Sequence, residues 1–414
     1  MTAQQPPART GLSRRSTLGL LGAVPLAAGG AAALAQSAQA GTGHGGTPPG
    51  SPPSELLPGG AFDQYVSGLA AQDQFSGTVL LAWRGQPTLV RSFQDADKAK
   101  HIPNQADTIF ALGSMGKFID GTAVAQLAAQ GKIGYYDTLG TYLDGFPSGI
   151  ADVVTVNQLL THTSGFPYQA PPSNPDWKTR VEAFNGMLAL LRNQQLASTP
   201  GTTYTYSNSN FFLAQAIVAA ASGQYYWDYG PRHIFGPAGM TRTGFYSSEQ
   251  RLTDPRFAHL YGPPVPGGQR QDVTDQNNHG PNTGGSFSTA TDLLSFASAV
   301  TDGTLMPPAW AELLTTGKYP INPTAQNPDQ APSQSYLIGY GTEQRIVGGQ
   351  RAYGHTGALL ANVPGSSQPG GGSTALTVYP DLNVIAVVLS NYFLYPGMGT
   401  FLAQQDRIIT QHAS

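Results

Sequence analysis

Three short stretches of this chain carry side chains whose types and spacing could break an acyl bond. The first is Ala111-Leu112-Gly113-Ser114-Met115-Gly116-Lys117-Phe118, a serine followed three residues later by a lysine. On a helix that spacing makes the hydroxyl and the amine surface neighbours. A hydroxyl is a poor nucleophile alone, and an amine held in an apolar site can take its proton near neutral pH. A helical wheel over 114–130 puts Lys117 between Val124 and Ala128, beside Gly121 and Ala125, on the small apolar side. The alternative is an ordinary surface lysine, but the chain has only six, at 98, 100, 117, 132, 178 and 318. Gly116 and Gly121 each cost about 1 kcal/mol of helix propensity, which points to close packing there. A buried lysine without an acid nearby should have a lowered pKa, as a base requires.

The second stretch, Thr203-Tyr204-Thr205-Tyr206-Ser207-Asn208, precedes the apolar segment Phe211 to Ala221. Ser207, Asn208 or Ser209 can cap that helix, with the tyrosine as packing. Alternatively Tyr206 and Asn208, two apart in extended chain, point to one side: a phenol able to relay a proton and an amide able to hold a substrate carbonyl. The third is Tyr353-Gly354-His355-Thr356-Gly357-Ala358. Its glycines mark either a plain strand end or an edge where a substrate backbone lies against the protein's own and an N–H faces an oxyanion.

Other chemistries find no support. There is no Gly-x-Ser-x-Gly elbow, and Gly116-Lys117 is followed by Phe118 without the earlier glycine of a phosphate-binding loop. Histidines 101, 162, 233, 259, 279, 355 and 412 include no pair at metal-ligand spacing on a helix, so no metal and no cofactor is expected. His162 reads as a loop-stabilising hydrogen bonder rather than a base. With no cysteine, thiol nucleophiles and thiolate metal sites are excluded.

The elements that must position these residues follow from periodicity. Residues 61–73 read as an amphipathic helix, Phe75 to Ala82 and Thr88 to Phe93 as a hairpin turning at Arg84-Gly85-Gln86. Helical patterns dominate from 107 to 300, at 114–130, 155–161, 181–195, 209–222 and 290–301, several stopped by glycine. Residues 301–350 look irregular. Ser373 to Tyr379 and Val384 to Ser390 form a second hairpin across Pro380-Asp381-Leu382-Asn383, and 399–411 a last helix. The expected fold class is α/β (α+β): an antiparallel sheet of N- and C-terminal strands (61–106 and 350–414) flanked by terminal helices, with a mostly helical part (107–349) inserted. A small ligand would bind in the cleft between the halves.

The first 40 residues are different in kind. Arg9, Arg14 and Arg15 precede an apolar Ala/Gly run from Leu18 to Ala35 and then Ala38-Gln39-Ala40, and no acid occurs among them. That is an export signal with a small-residue cleavage site, leaving no stable membrane anchor once cleaved. Ser13-Arg14-Arg15-Ser16-Thr17-Leu18 looks like a twin-arginine signal, which implies a periplasmic or extracellular destination. Residues 41–60 read as a Gly/Pro/Ser linker with too little apolar content to fold. The whole chain has 414 residues, 11% of them charged, and a net charge of -3 without any block of like charge. Nucleic acid and anionic membrane are therefore not expected partners; a small molecule or peptide is.

Together the three stretches resemble the serine β-lactamase and D-alanyl-D-alanine carboxypeptidase superfamily, in its class C-like branch of esterases and D-amino-acid peptidases. Phe75-Ser76-Gly77-Thr78-Val79-Leu80, Leu159-Leu160-Thr161-His162-Thr163-Ser164-Gly165 and Gly236-Pro237-Ala238-Gly239-Met240 add to the likeness, which runs from Phe75 to Asn391. The resemblance implies that Ser114 is acylated, that Lys117 and Tyr206 handle its proton, and that Asn208 positions the substrate amide. It also implies that His355, Thr356 and Gly357 line the substrate, while the backbone N–H groups of Ser114 and Ala358 form the oxyanion hole. Gly116 stands where Ser or Thr is usual, and His355 where class C β-lactamases carry lysine. Esterase or carboxypeptidase-type activity is thus expected ahead of β-lactam hydrolysis, with a non-catalytic penicillin-binding or sensor protein as the remaining alternative.

Overall fold

The computed structural model describes residues 50–168, 177–264, 268–277, 286–321 and 335–411. The expected export signal and most of the expected linker lie outside them. Among the described residues the frame is a ten-stranded antiparallel sheet. Its strands are β1 (Gly77–Trp83), β2 (Gln86–Phe93), β3 (Tyr261–Pro264), β4 (Arg270–Asp272), β5 (Tyr319–Ile321), β6 (Ser335–Ile338), β7 (Glu343–Val347), β8 (Gln350–Ala361), β9 (Gly370–Tyr379) and β10 (Val384–Ser390). They run in the order β2-β1-β10-β9-β8-β7-β6-β5, with β3 joined to β9 at Gly371 and β4 joined to β3. Arg84 and Gly85 turn β1 into β2 with φ of 50° and 76°, the left-handed pair that a two-residue hairpin turn needs.

Both faces of this sheet are covered. Val79 and Leu81 of β1, with Ala386 and Val388 of β10, pack against Phe62 and Val66 of α1 (Ala61–Ala71) and Phe401 and Leu402 of the C-terminal helix Met398–Thr410. Leu80 and Ala82, with Ile385, Val387 and Leu389, face the larger cluster formed by the middle of the chain. The period of two places alternate residues on opposite faces, and each fully buried Leu, Val or Phe contributes about 1.5–3 kcal/mol. A strand buried on both faces reads as a continuous apolar run, as Val384-Ile385-Ala386-Val387-Val388-Leu389 does.

The terminal strands, the terminal helices and the middle helices therefore form as expected, with two corrections. The described residues of 301–350 are not irregular: they contain the helix Pro308–Thr315 and supply β5, β6 and β7 to the main sheet, so the mostly helical part also contributes strands to it. Their pattern is hidden because β7 buries polar residues, with Glu343, Gln344 and Arg345 all at 9% exposure or less. Arg345 is held from outside the segment, its Nε donating to Asp406 Oδ2 at 2.6 Å and its Nη2 to Asp406 Oδ1 at 2.9 Å. The linker, too, ends earlier than residue 60. Ser54–Leu56 form a helical turn, and Leu56 is buried in the cluster under the terminal helices.

Candidate active site

Ser114 lies in a 3₁₀ turn, Gly113–Met115, immediately ahead of α2 (Gly116–Ala129), so the regular helix begins two residues later than its pattern indicates. Every residue of α2 from Gly116 to Ala128 is buried. Such a helix has no solvent face for a wheel to identify, and it runs through the core rather than along it. The glycine at 121 serves close approach, because a Cβ there would sit 1.9 Å from the Tyr340 carbonyl oxygen.

The serine turn is pressed against β8. Gly113 has φ of 57°, and a Cβ on it would lie 3.1 Å from Ala358 O and 3.3 Å from Ala358 N. A Cβ on Gly357 would meet Leu112 O at 2.0 Å. Thr374 Oγ1, on β9 next door, donates to that same Leu112 oxygen at 2.7 Å. Glycine at 357 is thus a steric requirement for bringing the backbones of Ser114 and Ala358 onto adjacent chains. β7 pairs with β8 only as far as Glu343 opposite Gly354. From His355 to Ala361 that edge of β8 has no strand partner among the described residues.

Lys117, 4% exposed, lies behind the half-buried serine. Its Nζ is 3.0 Å from Ser114 Oγ and donates to Asn208 Oδ1 at 2.8 Å. The rings of Tyr206 and Phe211 flank the amine, with centroids at 5.0 and 5.7 Å. Burial pulls the Lys117 pKa down to about 8, against the opposing fields of Asp120 and Glu343. The expected lowering is therefore present, but the condition attached to it is not met: two buried acids lie in its field, Asp120 at 3% and Glu343 at 6% exposure. Asp120 was legible as an acid inside an apolar helix; Glu343, on the hidden strand β7, was not.

Tyr206 and Asn208 converge on Lys117 as expected, by a different local geometry. Ser207 is the N-cap and Asn208 the first residue of the helix Asn208–Ser222, so the segment is not a continuous extended strand. The Ser207 side chain makes no cap hydrogen bond. Instead the Leu159–Gly165 stretch props this helix start. His162 Nδ1 accepts from Ser207 N at 3.1 Å and faces Asn210 Nδ2 at 3.2 Å, and its ring packs on Tyr206 with centroids 4.4 Å apart. Burial, and then Lys117 and His355, hold the His162 pKa well below 6.5. A neutral histidine whose Nδ1 accepts a backbone N–H is a brace, as its sequence context indicates.

His355 lies on β8, 5% exposed, between Gly354 and Thr356. Its Nδ1 is 2.6 Å from Thr356 O, and since a carbonyl only accepts, the proton sits on Nδ1. Burial, reinforced by Lys117, lowers its pKa to about 3, so the ring is neutral at ordinary pH. Thr356 and Ala358 are half-buried on the same strand. No group of three or more His, Asp or Glu side chains suited to a metal occurs among the described residues.

The family model named Beta-lactamase matches residues 62–411. Among curated relatives, the putative penicillin-binding protein PbpX of Bacillus subtilis is 32% identical over 203 residues, 48% of each chain. Penicillin-binding protein 4* of the same organism is 33% identical over 198 residues, 47% of this chain and 43% of that one. The chain thus spans about half the length of the curated relatives it matches. Among solved structures, the D-amino acid amidase of Ochrobactrum anthropi SV3 superposes with a TM-score of 0.62 at 20% identity, covering 81% of this chain and 94% of that one. EstCE1, a hydrolase with promiscuous acyltransferase activity, does so with 0.63 at 20%, covering 84% and 97%. At such identities the likeness is one of fold. The match over 62–411, joined to the resemblance carried by Ser114, Lys117, Tyr206 and the His355 segment, establishes that this chain belongs to the beta-lactamase family of serine hydrolases.

Proposed function

We propose that the protein is an exported serine hydrolase that cleaves an ester or amide through an acyl-Ser114 intermediate. Lys117 carries this reading: a buried amine 3.0 Å from Ser114 Oγ whose two hydrogen-bond partners are a hydroxyl and an amide oxygen rather than a carboxylate. In the neutral amine an N–H donates to Asn208 while the lone pair faces the serine. As Oγ attacks the carbonyl carbon, that lone pair takes the hydroxyl proton, and the N–H groups of Ser114 and Ala358 receive the developing oxyanion. Lys117 and Tyr206 return the proton to the leaving group, and water then releases the acyl group from Ser114. The open edge of β8 from His355 onward offers the substrate a backbone to lie against.

His355 favours an uncharged group beside the scissile bond. A buried, neutral ring supplies no fixed cation for a substrate carboxylate. This supports an ester or a neutral amide ahead of a C-terminal peptide or a β-lactam, both of which carry a carboxylate. The arginine-bearing leader of residues 1–40 supports export by the twin-arginine route.

Intact-mass measurement after exposure to an activated phosphonate and, separately, to a fluorescent penicillin tests the reading, with Ser114→Ala as control. A phosphonate adduct on the native chain and none on the variant is expected. No mass increase with either reagent removes Ser114 as nucleophile. A long-lived penicillin adduct would favour a carboxypeptidase or sensor, and rapid return to the free mass a β-lactamase.

A further inference from the structure

Asp120 is a buried carboxylate that the proposed reaction does not use. It stands three residues after Lys117 on α2, a spacing that puts the two Cβ atoms about 5–6 Å apart on neighbouring turns. It is 3% exposed, and its oxygens are held from two other elements: Gln215 Nε2 donates to Oδ1 at 3.1 Å from the helix Asn208–Ser222, and the Tyr226 phenol donates from the helix Tyr226–Gly230. A carboxylate buried within a core helix is costly unless something requires its charge. The same helix holds an amine that must become an ammonium, away from water, each time Ser114 gives up its proton.

We infer that Asp120 is the counter-charge for that ammonium: a positioning residue that acts through Lys117 and touches neither substrate nor Ser114. The inference rests on the acyl-serine reading above. The groups facing the pair from each neighbouring element are Tyr206 and Asn208 before and at the start of one helix, Gln215 on it, Tyr226 on the next, His162 from its loop, Glu343 on β7 and His355 on β8. Both histidines are neutral at ordinary pH, so Asp120 and Glu343 are the anions among these groups that oppose the burial of Lys117. Of the two, Asp120 shares the helix of the lysine and acts on it more strongly. Burial in turn raises the Asp120 pKa toward 6, against the Tyr226 and Gln215 hydrogen bonds and the Lys117 charge. The amine and the carboxyl thus titrate as a linked pair rather than as two independent groups.

The test is a titration of Lys117 itself, followed by NMR in protein carrying ¹³Cε-lysine, with the Lys117 resonance assigned by its loss in Lys117→Ala. In Asp120→Asn the midpoint should fall by one pH unit or more, and the acid limb of the acylation profile should move down with it. In Tyr226→Phe, which keeps the carboxyl but removes a donor, the shift should be in the same direction and smaller. An unchanged or raised midpoint in whichever of the two variants folds overturns the inference. If the native chain is not acylated at any pH, the acyl-serine reading fails, while the Lys117 midpoint still decides the role of Asp120.

Discussion

Two of the buried cations among the described residues, Arg345 and Lys117, do opposite things. Arg345, 3% exposed on β7, is clamped in bidentate fashion by Asp406, 0% exposed, on the C-terminal helix. The Tyr379 hydroxyl donates to Asp406 at 2.5 Å, and Gln405 Nε2 donates to that hydroxyl at 3.0 Å. Burial alone would lower the arginine pKa, but the carboxylate more than offsets it, so the guanidinium stays charged. Lys117 is just as buried, yet its hydrogen bonds go to an amide oxygen and a hydroxyl, and its nearest helical acid lies a turn away. Its pKa falls. A cation given a direct carboxylate becomes a staple between helix and sheet, whereas a cation given neutral partners becomes a base.

Breaking the staple should have the largest effect on stability. Asp406→Ala leaves Arg345 buried and unpaired, and chemical denaturation should record a loss of about 3–5 kcal/mol. Replacing both partners, Arg345→Met with Asp406→Leu, should recover part of that loss, because no unpaired charge then remains buried. A single variant as stable as the native chain would remove the contrast between the two cations. The same change at the other cation reverses the pattern. Lys117→Met should slow acylation of Ser114 by about 10²–10⁴-fold and cost less stability than Asp406→Ala, since burial penalises the amine and no carboxylate hydrogen-bonds it.

A smaller effect sharpens the comparison with a partly exposed ion pair. His259 Nδ1 lies 2.7 Å from Asp272 Oδ2, and its Nε2 lies 3.9 Å from Asp97 Oδ2. The Asp272 hydrogen bond chiefly, with both carboxylates, raises the histidine pKa above 6.5 despite burial. A raised folded-state pKa means that this contribution is fully present below pH 6.5 and is lost as pH climbs through the folded value. The melting temperature should therefore decline modestly from about pH 6.5 upward, and His259→Gln should flatten that slope. A melting temperature independent of pH in the native chain over this window would contradict the pairing.

Most of the frame was legible because its signals are local. Val384 to Ser390 is an apolar, β-branched run, Arg84-Gly85 a turn, and Gly223 ends the helix 208–222 in the left-handed region with φ of 72°. The segment 301–350 was not legible, because Glu343-Gln344-Arg345 looks like a solvated stretch until Asp406, 61 residues beyond Arg345, pairs with the guanidinium. At the site, the residue types and spacing brought out Ser114, Lys117, Tyr206 and Asn208, which the fold gathers around one amine. Two things escaped. The role of Gly357 is a matter of contact with Leu112, visible only when the strand is laid beside the serine turn. The placement of Glu343 in the field of Lys117 depends on which strand packs beside the helix.

The most direct measurement of the central claim is the pH dependence of Ser114 acylation by a phosphonate, followed by intact mass in the native chain and in Lys117→Met. The rate in the native chain should rise with pH through a midpoint near the Lys117 value of about 8, since only the neutral amine accepts the serine proton. That limb should be absent from the variant. A native profile that is flat, or one that survives unchanged without the lysine, would contradict Lys117 as the base.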